Sequence, residues 1–477
     1  MSVARTTLLL VPVAIVARGT GFVVPILIAG WFGVRAETDA FFFALSVPSV
    51  LLVLAANAVG TVVVPPLAEI RVRAPGRLAG VVAGAALASA ALSTAVGVAF
   101  ALVVPLLMPT FTNFDASTQA LAAKYTWMLL PFVFFVGALS VVRAACEGMG
   151  AFRLAGLSPI ARAATVLATV WLGWDLGPSI LPVGMGAGAL VEFAWLAGVL
   201  MYAGVPLAKP VFPDESVAAL LALGPVLLGE AMVALNLVVD KAFAAGLADG
   251  SVTVLEYADR ARLVPQTLLE ATLLPVAFQT WARSRALGDR HSQVAGARQA
   301  LRWVLLIAPP ALAGMVVGRQ AIVRLLFVRG EFPEARVVET ANTMAMFVPA
   351  VLMSLVGALV VKAHIVAGRY TLVMRLGVLS MVLNAGLNTL LREPFGTVGL
   401  AAATSITTTV VTLLSWLRLG VGVPAADSLA MLTVATAAAV LLAPLDPPSV
   451  ADAQLWLCAM PFVALLAIGA ARARRSE

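Results

Sequence analysis

The chain has 477 residues, of which 61% are hydrophobic and only 12% charged, and its mean hydropathy is +1.02. A soluble domain carries roughly 45–50% apolar and about 25% charged residues, so the excess here requires hydrocarbon as its solvent. The net charge of +7 sits in loops between apolar runs, which reads as membrane topology and excludes nucleic acid as the expected partner.

Lipid admits only helices and closed barrels, and long runs without alternation favour helices. About fourteen spans of roughly twenty to thirty residues follow one another. They centre near Arg18, Val50, Ala90, Pro131, Val166, Ala189, Gly229, Leu268, Pro309, Pro349, Leu379, Thr404, Val434 and Val463. The fold class expected is an all-α polytopic membrane protein, with the boundary between spans five and six at Asp175 to Pro178.

The first run carries Arg18 near its middle, with Gly21 and Pro25 on the same helix face by their spacing. A charge at that depth faces a protein interior or a watery cavity and marks a substrate path. Two readings of Arg18 stand: a planar guanidinium offered to an anionic group such as phosphate, or an ion-pair partner that locks helices. Asp39 opens the second span. Glu192 lies in the middle of span six, as a structural carboxyl or a proton site. In span seven, Asp240 and Lys241 lie near one end and Glu230 about three turns deeper. Span eight carries Asp259, Arg262, Gln266 and Glu270 at intervals that make one polar face, with Arg260 beside it. Such a stripe cannot face lipid, so it lines a cavity or forms a seam between helices. His364 and Lys362 near the end of span ten are read as snorkelling to the interface.

The segment from Gly33 to Leu52 superposes without a gap on that from Gly250 to Leu269. The glycines, Val47-Pro48 with Val264-Pro265, and the paired leucines coincide, and the acidic residues fall close but are read as not in identical register. The offset of six spans is even, so the halves are expected as parallel repeats with a site between them. Arg71, Arg73, Arg77, Arg143, Arg153, the arginines from Arg283 to Arg302 and the C-terminal Arg472, Arg474 and Arg475 fall on one side. The loops at Asp115, Asp175, Asp249 and Asp446 fall on the other. Both termini are then cytoplasmic. Arg319, Arg324, Arg329 and Arg336 dissent. Basic loops beside the bilayer also suit anionic membrane lipids.

Cys146 and Cys458 support neither a disulfide framework nor a metal site, and two histidines make no metal cluster. No Gly-x-x-x-x-Gly-Lys phosphate loop appears. No cofactor, metal or enzymatic activity is expected. Energy coupling is left to the membrane potential, a monovalent ion or substrate turnover.

Several stretches together resemble the MurJ (MviN) lipid II flippases. They are Ala17-Arg18 with Gly21-Phe22, Phe32-Gly33 with Thr38-Asp39-Ala40-Phe41-Phe42, Pro66-Leu67-Ala68-Glu69, and Val239-Asp240-Lys241. Further along come Tyr257-Ala258-Asp259-Arg260 before Val264-Pro265, Leu273-Leu274-Pro275, and Arg329-Gly330-Glu331-Phe332. The resemblance implies the two-lobed fold of the multidrug/oligosaccharidyl-lipid/polysaccharide exporters. Residues 1–205 would form one lobe, 206–422 the second, and 423–477 two further helices and a cytoplasmic tail. It also implies movement of a polyprenyl-pyrophosphate-linked peptidoglycan precursor between leaflets of the bacterial inner membrane by alternating access. Arg18, Asp39 and Arg260 match the family's substrate-site residues. Asn57, Glu230, Asp240, Lys241, Asp259, Arg262, Gln266 and Glu270 are expected to line the cavity. Departures are plain: Val24 and Pro25 stand where the family carries an Arg-Asp pair. Uncharged Leu51 to Ala56, including Leu52 and Val53, replace basic residues, and Leu263 replaces a Glu. The alternatives are a flippase for another lipid-linked oligosaccharide, an ion-coupled multidrug antiporter, and a scaffold of cell-wall synthesis. Proteins of cell-wall synthesis are candidate partners of a chain expected to be a monomer.

Overall fold

The computed structural model describes residues 22–58, 70–71, 73–212, 214–263, 266–267, 304, 308–309 and 312–419. Arg18, Glu270 and the two expected C-terminal helices lie outside the described residues. Among those described the fold is all-α. The helices are α1 Phe22–Phe32, α2 Ala36–Ala44, α3 Ser46–Ala58, α4 Leu78–Phe111, α5 Ala116–Met128, α6 Leu130–Gly148, α7 Phe152–Gly156, α8 Ser158–Leu172, α9 Ile180–Tyr202 and α10 Asp214–Ala244. Then follow α11 over residues 251–263, α12 Arg319–Phe327, α13 Val337–Met346, α14 Val348–Val366 and α15 Tyr370–Leu419. Seven helical segments among the described residues are long and apolar enough to cross a membrane.

Local sequence explains the breaks. Pro48, Pro131 and Pro349 each sit in the first turns of a helix, where a missing N–H costs nothing, and the chain bends just before them. Asp115 caps α5 by accepting from the Thr118 amide at 2.9 Å. The Ser117 hydroxyl, then Thr118, hold this carboxyl down at about 2. The expected boundary at Asp175 to Pro178 is a turn, Trp174–Ser179, with Gly177 at φ 58. At 50 residues α15 would reach roughly 75 Å at 1.5 Å per residue, more than twice a hydrocarbon core. It is broken at Gly396 (φ 58) after Pro394, so it supplies two crossings, as the sequence implied for spans eleven and twelve.

The chain divides into two compact units: residues Met1–Thr253 with Arg329–Phe332, and Val254–Val328 with Pro333–Glu477. In the first, α4 packs on α6, and α6 and α8 on α9. A Cβ at Gly137 of α6 would stand 2.6 Å from the Ser89 carbonyl of α4, so only glycine lets these backbones meet. The outer flanks of α4 expose Leu92, Leu102 and Leu106, the pattern of a lipid-facing surface. In the second unit α14 and α15 form the main helix pair. Hydroxyls of α15 bond to the neighbouring helices: Ser405 donates to the Met346 carbonyl at the end of α13 at 2.6 Å and Thr412 to the Met353 carbonyl of α14 at 3.2 Å.

Candidate functional site

Gly33 and Gly250 superpose in the repeat, and each takes positive φ (64° and 90°) just before a helix. Counted exactly, the same register aligns Asp39 of α2 with Glu256 of α11, six residues after each glycine, which corrects the reading that the acidic residues are out of identical register; both carboxylates are buried. Each is spent on α11, in a different way.

Asp39 caps the start of α11 from another helix. Its Oδ2 accepts from the Gly250 amide at 2.7 Å, and its Oδ1 from the Thr253 amide at 2.7 Å and the Thr253 hydroxyl at 2.5 Å. The Thr253 hydroxyl also lies 3.1 Å from that of Thr38. A carboxylate on the first amides of a helix satisfies orphan donors and suits the positive end of the dipole. Beside it, the buried Lys241 of α10 donates to the Phe42 carbonyl at 3.0 Å and lies 5.9 Å from the Phe42 ring centroid. Asp240 is buried next to it, and Glu230 is half-buried about three turns back along α10. Asn57 lies in α3.

Glu256 engages Arg260 one turn on, carboxylate to Nε at 2.7 Å. The carboxylate is buried while the Arg260 side chain keeps 30% exposure. The bond uses Nε, which orients the guanidinium. On the neighbouring face the expected stripe is joined up: Arg262 Nε donates to Asp259 at 2.8 Å and Arg262 Nη1 to Gln266 at 3.0 Å. Arg262 lies 4.7 Å over the Phe347 ring, so this stripe is packed inside the second unit. Arg260 and Arg262 are thus held apart by separate carboxylates.

Two readings of single residues are decided. Glu192 is fully buried and clamped: Arg143 reaches its Oε1 at 2.5 Å, Arg162 its Oε2 at 3.1 Å, and the Ser158 hydroxyl donates at 3.0 Å. It is a structural carboxyl joining α6, α8 and α9, and Arg143 lies within α6 instead of a loop. His364 does not snorkel. It is fully buried, with Nε2 bonded to the Ser415 carbonyl at 3.0 Å across α14 and α15, because the helix pair offers a carbonyl where lipid offers none. Of the dissenting arginines, Arg324 pairs with Glu334 and Arg336 with Glu339, while Arg319 is buried against Asn342. These residues serve local structure. Cys146 is buried, its thiol directed at the Leu196 carbonyl at 3.4 Å.

Sequence reasoning passed over Glu256, Thr253 and Thr38. Exact counting from the paired glycines was the available signal for Glu256. Thr253 had none, because its role depends on a carboxylate more than 200 residues away.

Among the described residues the geometry provides buried carboxylates that fix a helix start and orient an arginine. A solved lipid II flippase MurJ, in an inward closed conformation, superposes with a TM-score of 0.77 at 18% identity, covering 97% of this chain and 98% of that one. An inward-facing multidrug resistance MATE family transporter of the MOP superfamily gives 0.68 at 14% identity, over 84% and 92%. At these identities the likeness is one of fold, and it spans both drug and lipid carriers. Sequence separates them. A probable lipid II flippase MurJ of Haemophilus influenzae is 26% identical over 83% of this chain and 82% of its own length. One of Vibrio cholerae is 25% identical over 82% and 78%. The profile of the family described as lipid II flippase MurJ matches residues 28–447, which is most of the chain. The chain therefore belongs to the MurJ family.

Proposed function

We propose that this protein is a flippase that carries lipid II from the inner to the outer leaflet of the bacterial cytoplasmic membrane by alternating access. The family match over residues 28–447 carries the reading. The cargo is a polyprenyl chain, a pyrophosphate and a glycan. Its pyrophosphate needs a fixed cation, and Arg260, oriented by Glu256, supplies one. Arg18 is the second, from the first span. Asp39 contributes by fixing the start of α11; Arg260 lies seven residues beyond Thr253, about 10 Å along the axis. The lobes are 1–205 and 206–422, followed by two helices in 423–477. Both termini are cytoplasmic, the protein works as a monomer, and the membrane potential or a monovalent ion drives the cycle without a cofactor.

A second reading has its own support. Val24, Pro25, Leu52, Val53 and Leu263 are uncharged at positions where the family resemblance implies charge, which fits a different lipid-linked oligosaccharide. Depletion of the protein, followed by identification of the lipid-linked intermediate that accumulates in the inner leaflet, tests both. Lipid II is the expected species; accumulation of another polyprenyl-linked saccharide in its place establishes the second reading.

A further inference from the structure

Four residues depart from chain order. Arg329–Phe332 groups with the first compact unit, while Val328 before it and Pro333 after it belong to the second. The segment seats on the Phe32 end of α1 through backbone. The Glu331 amide donates to the Gly30 carbonyl at 2.9 Å. Gly330 is in the left-handed region (φ 55), and a Cβ there would stand 2.2 Å from the Gly30 carbonyl oxygen. A Cβ on Gly33, also left-handed (φ 64), would stand 2.3 Å from the Glu331 carbonyl oxygen. Both partners must lack side chains for the two backbones to meet. Phe332 is buried, and Arg35 pairs with Glu331 at the surface. That ion pair is half-exposed on both sides and adds little by itself. The attachment is specific in shape, and it includes a backbone hydrogen bond, a buried ring and a solvated ion pair, contacts of a kind that can be broken and remade.

We propose that Arg329-Gly330-Glu331-Phe332 is a positioning strap on α1. It holds the end of that helix in one half of the transport cycle and releases it in the other. This rests on the flippase reading, because α1 continues the apolar run that carries Arg18, and alternating access requires such contacts to exchange once per cargo.

The test has two parts. In purified full-length protein, exchange of the Glu331 amide is followed by mass spectrometry for wild type, Gly330→Ala and Gly368→Ala. Gly368 is a matched control, with a left-handed φ of 73° and open space around its Cβ position. Gly330→Ala is expected to speed exchange at least tenfold and Gly368→Ala to leave it unchanged; equal exchange in the two variants overturns the strap. In vesicles, Arg35→Cys with Glu331→Cys, with Cys146 and Cys458 replaced by alanine, is bridged by a short bifunctional methanethiosulfonate. The bridged protein is expected to bind lipid II but to stop transporting it, and a reductant to restore transport. Transport at the unbridged rate overturns the strap while the flippase reading stands. Absence of lipid II transport before bridging overturns the flippase reading and the strap's place in a cycle; the exchange result, read without cargo, still decides docking.

Discussion

Replacing Asp39 by alanine strikes a point where three donors converge on one buried carboxylate: the Gly250 amide, the Thr253 amide and the Thr253 hydroxyl, all within 2.7 Å. A hydrogen bond to a charged group contributes about 1.5–3 kcal/mol, and a buried donor left without a partner costs about 1–3 kcal/mol. The three bonds share one acceptor group and do not add, so we expect Asp39→Ala to destabilise the protein by about 3–5 kcal/mol. Asp39→Asn keeps one acceptor oxygen and is expected to cost roughly half of that. Thr253→Val removes the hydroxyl alone, at about 1–2 kcal/mol. Because Thr253 acts through Asp39, the double variant should cost less than the sum of the single ones. Equilibrium unfolding in mixed micelles measures the totals, and amide exchange over residues 250–253 localises the loss. A stable Asp39→Ala protein, within about 0.5 kcal/mol of wild type and with unchanged exchange at Gly250 and Thr253, would refute the cap.

Three further outcomes follow from the same structure. Glu192→Gln strands two guanidiniums around a neutral amide and is expected to destabilise the first unit by about 3–5 kcal/mol in unfolding experiments; a fully stable variant that loses only the pH dependence of transport would instead mark a proton site. Arg260→Ala is expected to abolish transport and, by leaving the buried Glu256 carboxylate without this partner, to lower melting as well, whereas Arg260→Lys should keep the fold and restore transport only in part, since an ammonium lacks the planar fork; transport assays on the folded variants decide this. The cap at Asp115 has its pKa lowered to about 2, so its contribution is complete above the ordinary carboxylate value and is lost as pH falls toward 2; exchange of the Thr118 amide should quicken only in that acid range.

Much of the fold could be read from the chain because lipid leaves few choices. Apolar runs near Ala90, Pro131, Ala189 and Pro349 are helices; the chain breaks at the expected Asp175 to Pro178 boundary, and Pro394-Gly396 breaks it between the runs centred near Leu379 and Thr404. The spacing of Asp259, Arg262 and Gln266 was enough to predict one bonded face, because residues three and four apart on a helix are neighbours. Partners distant in sequence were not legible. Asp39 read as an acid opening the second span and matching a substrate-site residue; that its oxygens accept from amides of a helix beginning more than 200 residues later was not legible. His364 read as an interfacial side chain because its carbonyl partner belongs to another helix. Glu192 stood undecided until Arg143 and Arg162 were brought to it by packing of α6 and α8 on α9. In each case the missing information was which helix faces meet.

The account's central claim is that this chain moves lipid II. The most direct measurement reconstitutes the purified protein in liposomes with lipid II in the inner leaflet and follows its appearance to a membrane-impermeant probe of the glycan outside. The account predicts exposure at a rate that depends on intact Arg260 and falls to the protein-free level in Arg260→Ala. Lipid II that stays inside with the wild-type protein, while a cationic drug is carried across instead, would contradict it.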